Sequence, residues 1–191
     1  KFIIFPLVGE ILQIAFVKIP AVSMGITIGV LWIYINNTES MISLDSLTKL
    51  NNRNQLYWHL NNLLPHDTNE YDLYLLIIDA DHFKKINDNY GHIEGDKALI
   101  DIAQALRIGV RDRKCFISRF AGDEFILVFK CYEDDSVDEL CRSIKQAVNQ
   151  INNVRKKKYD ISLSIGYALY TDKIKSIADF IDEADEMLYE I

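Results

Sequence analysis

The chain has 191 residues, enough for one ordinary domain and an additional segment. Its net charge of −7 and pI of about 5.1 exclude a duplex nucleic-acid binder, which needs a basic surface to neutralise phosphates. They do not exclude a small anionic ligand, because a metal ion can bring its own positive charge. Cys115, Cys131 and Cys141 show no CxxC spacing and read as reduced, intracellular thiols, while His59, His66, His82 and His92 are scattered and make no zinc pattern.

Charge is segregated along the chain. It begins at Lys1 rather than at a methionine and is read as part of a longer protein. Residues 1–35 carry only Lys1, Glu10 and Lys18 as full charges, and the seventeen residues from Ile19 to Ile35 carry none. Seventeen helical residues span about 25 Å, the short edge of what crosses a hydrocarbon core. Residues 1–36 are therefore expected to be the C-terminal part of a transmembrane region, with its last span at about 19–35; a buried core helix is the competing reading. A signal peptide is not expected, since no basic n-region or small-residue cleavage site precedes the apolar run. Ala21, Gly25 and Gly29 recur every four residues, a spacing that lets two helices approach closely in lipid. Residues 37–47 read as a polar linker.

Beyond the linker, Leu56, Leu60, Leu63 and Leu64 predict a helix over Arg53–Leu64, ended by Pro65. The apolar run Tyr71–Asp79 predicts a strand buried on both faces, with Asp79 and Asp81 at its end. Phe83–Tyr90 is expected as a short helix stopped by Gly91, and Asp96–Arg111 as a longer amphipathic one. Cys115–Phe120 and Phe125–Cys131 predict two strands joined by the four-residue turn Ala121–Glu124. Ser136–Ile151 reads as a helix, Tyr159–Tyr170 as a strand and Ser176–Tyr189 as a last helix. The basic run Arg155–Lys158 is expected to be a solvated loop. This order predicts an α/β sandwich whose central sheet is mainly antiparallel and flanked by helices.

The chemistry gathers at two corners. Asp79 ends one strand, and Asp123 and Glu124 sit at the tip of a hairpin; if the strands are neighbours, these carboxylates converge at one end of the sheet. Hard oxygen ligands without His or Cys favour Mg²⁺ or Mn²⁺, which take their remaining ligands from water and phosphate. Ala121 and Gly122 leave room for phosphate beside the backbone. Such a site suits phosphoryl transfer, which is mostly positioning and electrostatics.

The motifs carry a resemblance. Asp45-Ser-Leu-Thr-Lys-Leu-Asn-Asn-Arg, Asp79-Ala-Asp-His-Phe-Lys-Lys-Ile-Asn-Asp, Gly91-His-Ile-Glu-Gly-Asp, Arg119-Phe-Ala-Gly-Asp-Glu-Phe, Ser164-Ile-Gly and Ala184-Asp-Glu-Met-Leu-Tyr follow in family order. Together they resemble the GGDEF domains of diguanylate cyclases, over residues 45–191. The resemblance implies the palm-like nucleotidyl-cyclase fold and condensation of two GTP into cyclic di-GMP across a homodimer, with release of pyrophosphate. It implies metal binding by Asp79, the Ala80 carbonyl, Asp123 and Glu124, with Glu124 also beside the attacking 3′-hydroxyl. Asn87 and Asp96 would read guanine, while Lys84 and the backbone around His82 and Phe83 would hold the terminal phosphates, close to Ala121 and Gly122. The catalytic domain would be cytoplasmic, on a cell membrane.

Three departures from the family pattern bear on these expectations. Ala121 stands where the signature has its first glycine, and its methyl could crowd a phosphate contact or a positive φ. The RxxD product-inhibition site is not expected, because the aligned positions are Asp112 and Cys115, with Arg111 and Arg113 out of register. The resemblance also implies a Lys and an Arg beyond Ile191 that touch phosphate. The alternative reading is a degenerate GGDEF domain that binds GTP as a regulatory module without turnover.

Overall fold

A computed structural model of the chain describes residues 21–41, 43–64, 71–111 and 113–188. The chain divides into two compact units between Ser43 and Leu44. In the first, helix α1 runs Ala21–Met41. Met24, Ile26, Ile28, Val30, Leu31 and Trp32 are all exposed on it, whereas Gly25 and Gly29 are buried. The helix continues through Asn36–Ser40, residues expected in the linker, so polar sequence dilutes its apolar stretch. Among the described residues no helix is long and apolar enough to cross a membrane. Helix α1 covers residues 21–35 of the expected span, whose residues 19 and 20 lie outside the described residues.

The second unit is a four-stranded antiparallel sheet in the order β2-β3-β1-β4. Its elements are α2 (Arg53–Leu63), β1 (Asp72–Ala80), α3 (Phe83–Tyr90), α4 (His92–Gly109), β2 (Cys115–Ala121), β3 (Glu124–Cys131), α5 (Val137–Arg155), β4 (Leu163–Leu169) and α6 (Ile177–Glu186). Period-two alternation splits the apolar side chains of β1 between two cores. Leu76 and Ile78 join Phe125, Leu127 and Phe129 of β3 under α4 and α5. Leu73, Leu75 and Ile77 join Ile126 and Val128 under α2 and α6, where Leu56, Leu60 and Phe180 are fully buried. The central strand is apolar on both faces because helices cover both, as its unbroken run predicted.

Several boundaries differ from expectation, each for a local reason. α4 begins at His92, four residues before the predicted start, because Gly91 takes the positive φ of 85° that turns the chain from α3 into α4. The hairpin turn is two residues, Gly122 and Asp123, since Ala121 and Glu124 pair across the strands. The pairing steps from Arg119↔Phe125 to Ala121↔Glu124, so Phe120 is the extra residue of a β-bulge. β4 starts at Leu163 rather than Tyr159, and α6 ends at Glu186 with Ser176 as its N-cap, accepting from the Asp179 N–H. The last helix was expected to reach Tyr189, which lies outside the described residues.

Candidate active site

The register places Asp79 directly opposite Glu124 on β3 and opposite Ser164 on β4. Asp79 continues the Leu75–Ile77 face of β1 and Glu124 the Ile126–Val128 face of β3. Both carboxylates therefore emerge on the side covered by α2 and α6. Burial, reinforced by the charges of Asp123, Glu124, Asp81 and Asp185, pushes the Asp79 carboxyl up to about 6. Glu124 is raised as well, first by burial and then by Asp123 and Asp185, with the Arg53 guanidinium pulling the other way. Two of these contributors were assigned no role from the sequence. Asp185 comes from the ADxxLY motif on α6, and Arg53 from the motif that opens the domain. The Arg53 guanidinium lies 4.5 Å from the Phe120 ring centroid and 5.6 Å from that of Tyr57, so the bulge residue helps to seat it. Only the fold reveals that these motif ends approach the acidic corner.

Asp81 is engaged otherwise. It accepts from the Ser164 hydroxyl at 2.6 Å, and its N–H donates to the Ser162 carbonyl at 3.1 Å. These ties lock the turn after β1 to the strand beside it. Next, His82 adopts a left-handed conformation, with φ 56° and ψ 25°, and heads α3 without a side-chain cap. A non-glycine residue held there costs about 1 kcal/mol, and its carbonyl accepts the Lys85 N–H at 2.8 Å, while no side chain of His82 caps the helix. Lys84 is exposed in that first turn and Phe83 is half-buried beneath it. Ala80, the last residue of β1, is buried and paired with Leu163.

Asn87 lies on α3 and Asp96 in the first turns of α4. A methyl group at Gly95 would run into the Asn87 side-chain oxygen, so glycine there lets α4 pack directly on Asn87. Asn87 sits one turn into α3, about 6 Å along the helix from its first residue, Phe83. The fold thus groups Asp79, Asp123 and Glu124 at one spot and Asn87 with Asp96 at another, with the start of α3 between them.

The signature turn has an external tie. Arg119 donates through Nε and Nη2 to the Gly122 carbonyl at 3.0 and 2.7 Å, and through Nη1 to both carboxylate oxygens of Asp45 at 3.1 and 3.2 Å. Asp45 also accepts the Thr48 N–H and hydroxyl, each at 2.7 Å. Burial alone would raise this carboxyl, but the Thr48 hydrogen bonds and Arg119 hold it below its usual range. Gly122 carries the turn's positive φ, 37°, and Ala121 has none. The substituted signature position therefore asks for no conformation that an alanine resists.

Among the described residues no three acidic, histidine or cysteine side chains close around one point to hold an ion by themselves. The donor set nonetheless fits a hard divalent cation. Carboxylates crowd Asp79, while the Arg53 guanidinium bears on Glu124, and Mg²⁺ or Mn²⁺ keeps waters and adds phosphate oxygens instead of needing a complete protein cage.

The family described as diguanylate cyclase, GGDEF domain matches residues 42–191, and the chain belongs to the GGDEF domain family. It is 33% identical over 146 residues to the bifunctional diguanylate cyclase/cyclic di-GMP phosphodiesterase MucR of Pseudomonas aeruginosa, across 76% of this chain and 21% of that one. An uncharacterized membrane protein of Staphylococcus haemolyticus is 31% identical, across 97% of this chain and 55% of the relative. Among solved structures, a form of TpbB (YfiN) from Pseudomonas aeruginosa comprising only the GGDEF domain shares 31% identity at a TM-score of 0.62, across 77% of this chain and 87% of that one. The chain spans between about a fifth and just over half the length of these curated relatives.

Proposed function

We propose that the protein is a diguanylate cyclase that condenses two GTP molecules into cyclic di-GMP, releasing two pyrophosphates. The observation that carries this reading is the cross-strand pairing of Asp79 with Glu124, beside the turn that presents Asp123. Asp79, Asp123 and Glu124, with the Ala80 carbonyl, would hold the divalent cation, Mg²⁺ or Mn²⁺. When bound, that cation supplies positive charge to the triphosphate and lowers the pKa of the attacking hydroxyl. Glu124, already raised in pKa, is suited to take the 3′-hydroxyl proton. The free N–H groups at the start of α3, with Lys84, hold the terminal phosphates as helix N-termini do. Asn87 and Asp96 select guanine, since a carboxylate accepts from N1–H and the exocyclic amine, a pairing that adenine lacks.

One protomer binds one GTP and offers half of the reaction, so two copies face each other and each 3′-oxygen attacks the α-phosphorus of the opposing nucleotide. The bond from that phosphorus to the β-phosphate oxygen breaks as the new ester forms. The first unit is proposed as a membrane tether and dimerisation element, with the catalytic domain on the cytosolic side where GTP is found. Support comes from the apolar circumference of α1, its buried Gly25 and Gly29, and a relative described as a membrane protein.

The decisive experiment is incubation with GTP and Mg²⁺ followed by product analysis. Cyclic di-GMP should form, and Glu124→Gln should lower the rate at least about 100-fold while GTP binding persists. Tight GTP binding without any dinucleotide product from the parent protein would replace this reading with that of a regulatory GTP module.

A further inference from the structure

The basic run Arg155–Lys158 begins at the last residue of α5; Arg155, Lys156 and Lys158 are exposed, as expected of a solvated segment, whereas Lys157 is half-buried. Lys157 Nζ lies 2.7 Å from Asp101 Oδ2 and 3.1 Å from the Tyr159 hydroxyl, while Arg155 Nη2 meets Asp101 Oδ1 at 3.2 Å. Asp101, in the middle of α4, is only 3% exposed. A carboxylate so deeply buried needs cationic partners, and this segment supplies both. The segment is thereby anchored along α4 before the chain turns into β4.

From that anchor it reaches the corner between α3 and α4. The Tyr159 hydroxyl donates to the Glu94 carbonyl at 3.0 Å, in the first turn of α4. The Tyr90 hydroxyl, at the end of α3, donates to the Lys158 carbonyl at 2.9 Å, and the rings of Tyr90 and Tyr159 pack with centroids 5.2 Å apart. Residues 157–159 therefore grip the chain on both sides of Gly91. Within the corner, the Gly91 N–H donates to the Asn87 carbonyl at 2.8 Å, and Gly95 abuts the Asn87 side chain. Glu94, the residue held by Tyr159, immediately precedes Gly95 and Asp96.

We propose that Tyr159, anchored through Lys157 to Asp101, is a positioning residue for guanine recognition, fixing the first turn of α4 so that Asn87 and Asp96 meet the base edge together. This inference rests on the proposed roles of Asn87 and Asp96. Tyr159 touches neither the base nor the phosphates; it acts through the Glu94 carbonyl. Its loss should separate substrate affinity from chemistry, because the carboxylates at the end of β1 and in the hairpin lie outside the strap.

The test is binding of non-hydrolysable GTP and ITP analogues to the full chain and to Tyr159→Phe, Lys157→Met and Asp96→Ala, with thermal melting of each. ITP lacks the exocyclic amine, so the affinity ratio reads the guanine contact alone. Tyr159→Phe keeps the ring against Tyr90 and should weaken the GTP analogue by at most about tenfold, the full scale of one hydrogen bond, while shrinking the ratio. In turnover, KM should rise with kcat within about twofold. Lys157→Met should shift the ratio in the same direction. A ratio that collapses in Asp96→Ala but stays unchanged in Tyr159→Phe and Lys157→Met overturns the positioning role, even if both variants melt lower. A ratio unmoved in Asp96→Ala overturns the guanine assignment, and this inference with it. The binding ratios are independent of whether cyclic di-GMP is made.

Discussion

Asp79 binds its proton more tightly in the folded chain than a free aspartate does, with a pKa raised from 3.8 to about 6. A raised carboxylate contributes its stability when protonated. That contribution is fully present below about pH 4 and is lost as pH rises through about 6. At neutral pH and without metal, the charged group therefore weakens the fold. Asp79→Asn should stabilise metal-free protein at pH 7.5 by about 1 kcal/mol, a figure discounted for solvent screening and read as a higher melting temperature, and bring no gain at pH 4. Equal shifts at both pH values would remove the like-charge explanation. Ala121 makes the opposite point. Because its φ is not positive and it is exposed, Ala121→Gly should change stability by less than about 1 kcal/mol and cyclic di-GMP formation by less than about threefold, measured by melting and product assay.

At the level of elements, close approach is concentrated where glycines sit. A methyl group at Gly109, the last residue of α4, would come within 2.7 Å of the Ile144 Cα on α5, and backbone cannot swing aside as a side chain can. Gly109→Ala should destabilise the domain by about 1–3 kcal/mol despite alanine's better helix propensity, read as a lower urea midpoint at unchanged m-value. The strands and helices were largely legible, since apolar periodicity marked them. The helix start at His92 was hidden. Two glycines in Gly91-His-Ile-Glu-Gly95 look like loop chemistry, yet one is the turn residue and the other a helical contact demanded by Asn87. The strap at 155–159 was hidden as well, because a run of lysines looks solvated until Asp101, some fifty residues earlier, is seen buried beneath it. Asp79, Asp123 and Glu124 could be named from motifs alone. Arg53 and Asp185 could not be given a part, because their approach to Glu124 arises only when α2 and α6 dock on one face of the sheet.

For the molecule as a whole, the proposed reaction, with one nucleotide per copy, makes synthesis a two-body event. At low enzyme concentration the specific activity should climb in proportion to protein and then level off, as followed by pyrophosphate release over a dilution series. A specific activity constant down to the lowest concentration would mean that one chain suffices. The tie from Asp45 through Arg119 to the Gly122 carbonyl also limits how such a protein can be rebuilt. A chimaera that grafts a foreign sensor upstream of Leu44 keeps the guanidinium seated. One joined at Asn52 discards the carboxylate partner of Arg119, whose guanidinium holds the Gly122 carbonyl. Modular exchange of inputs in this architecture therefore has a fixed splice point, set by a single arginine.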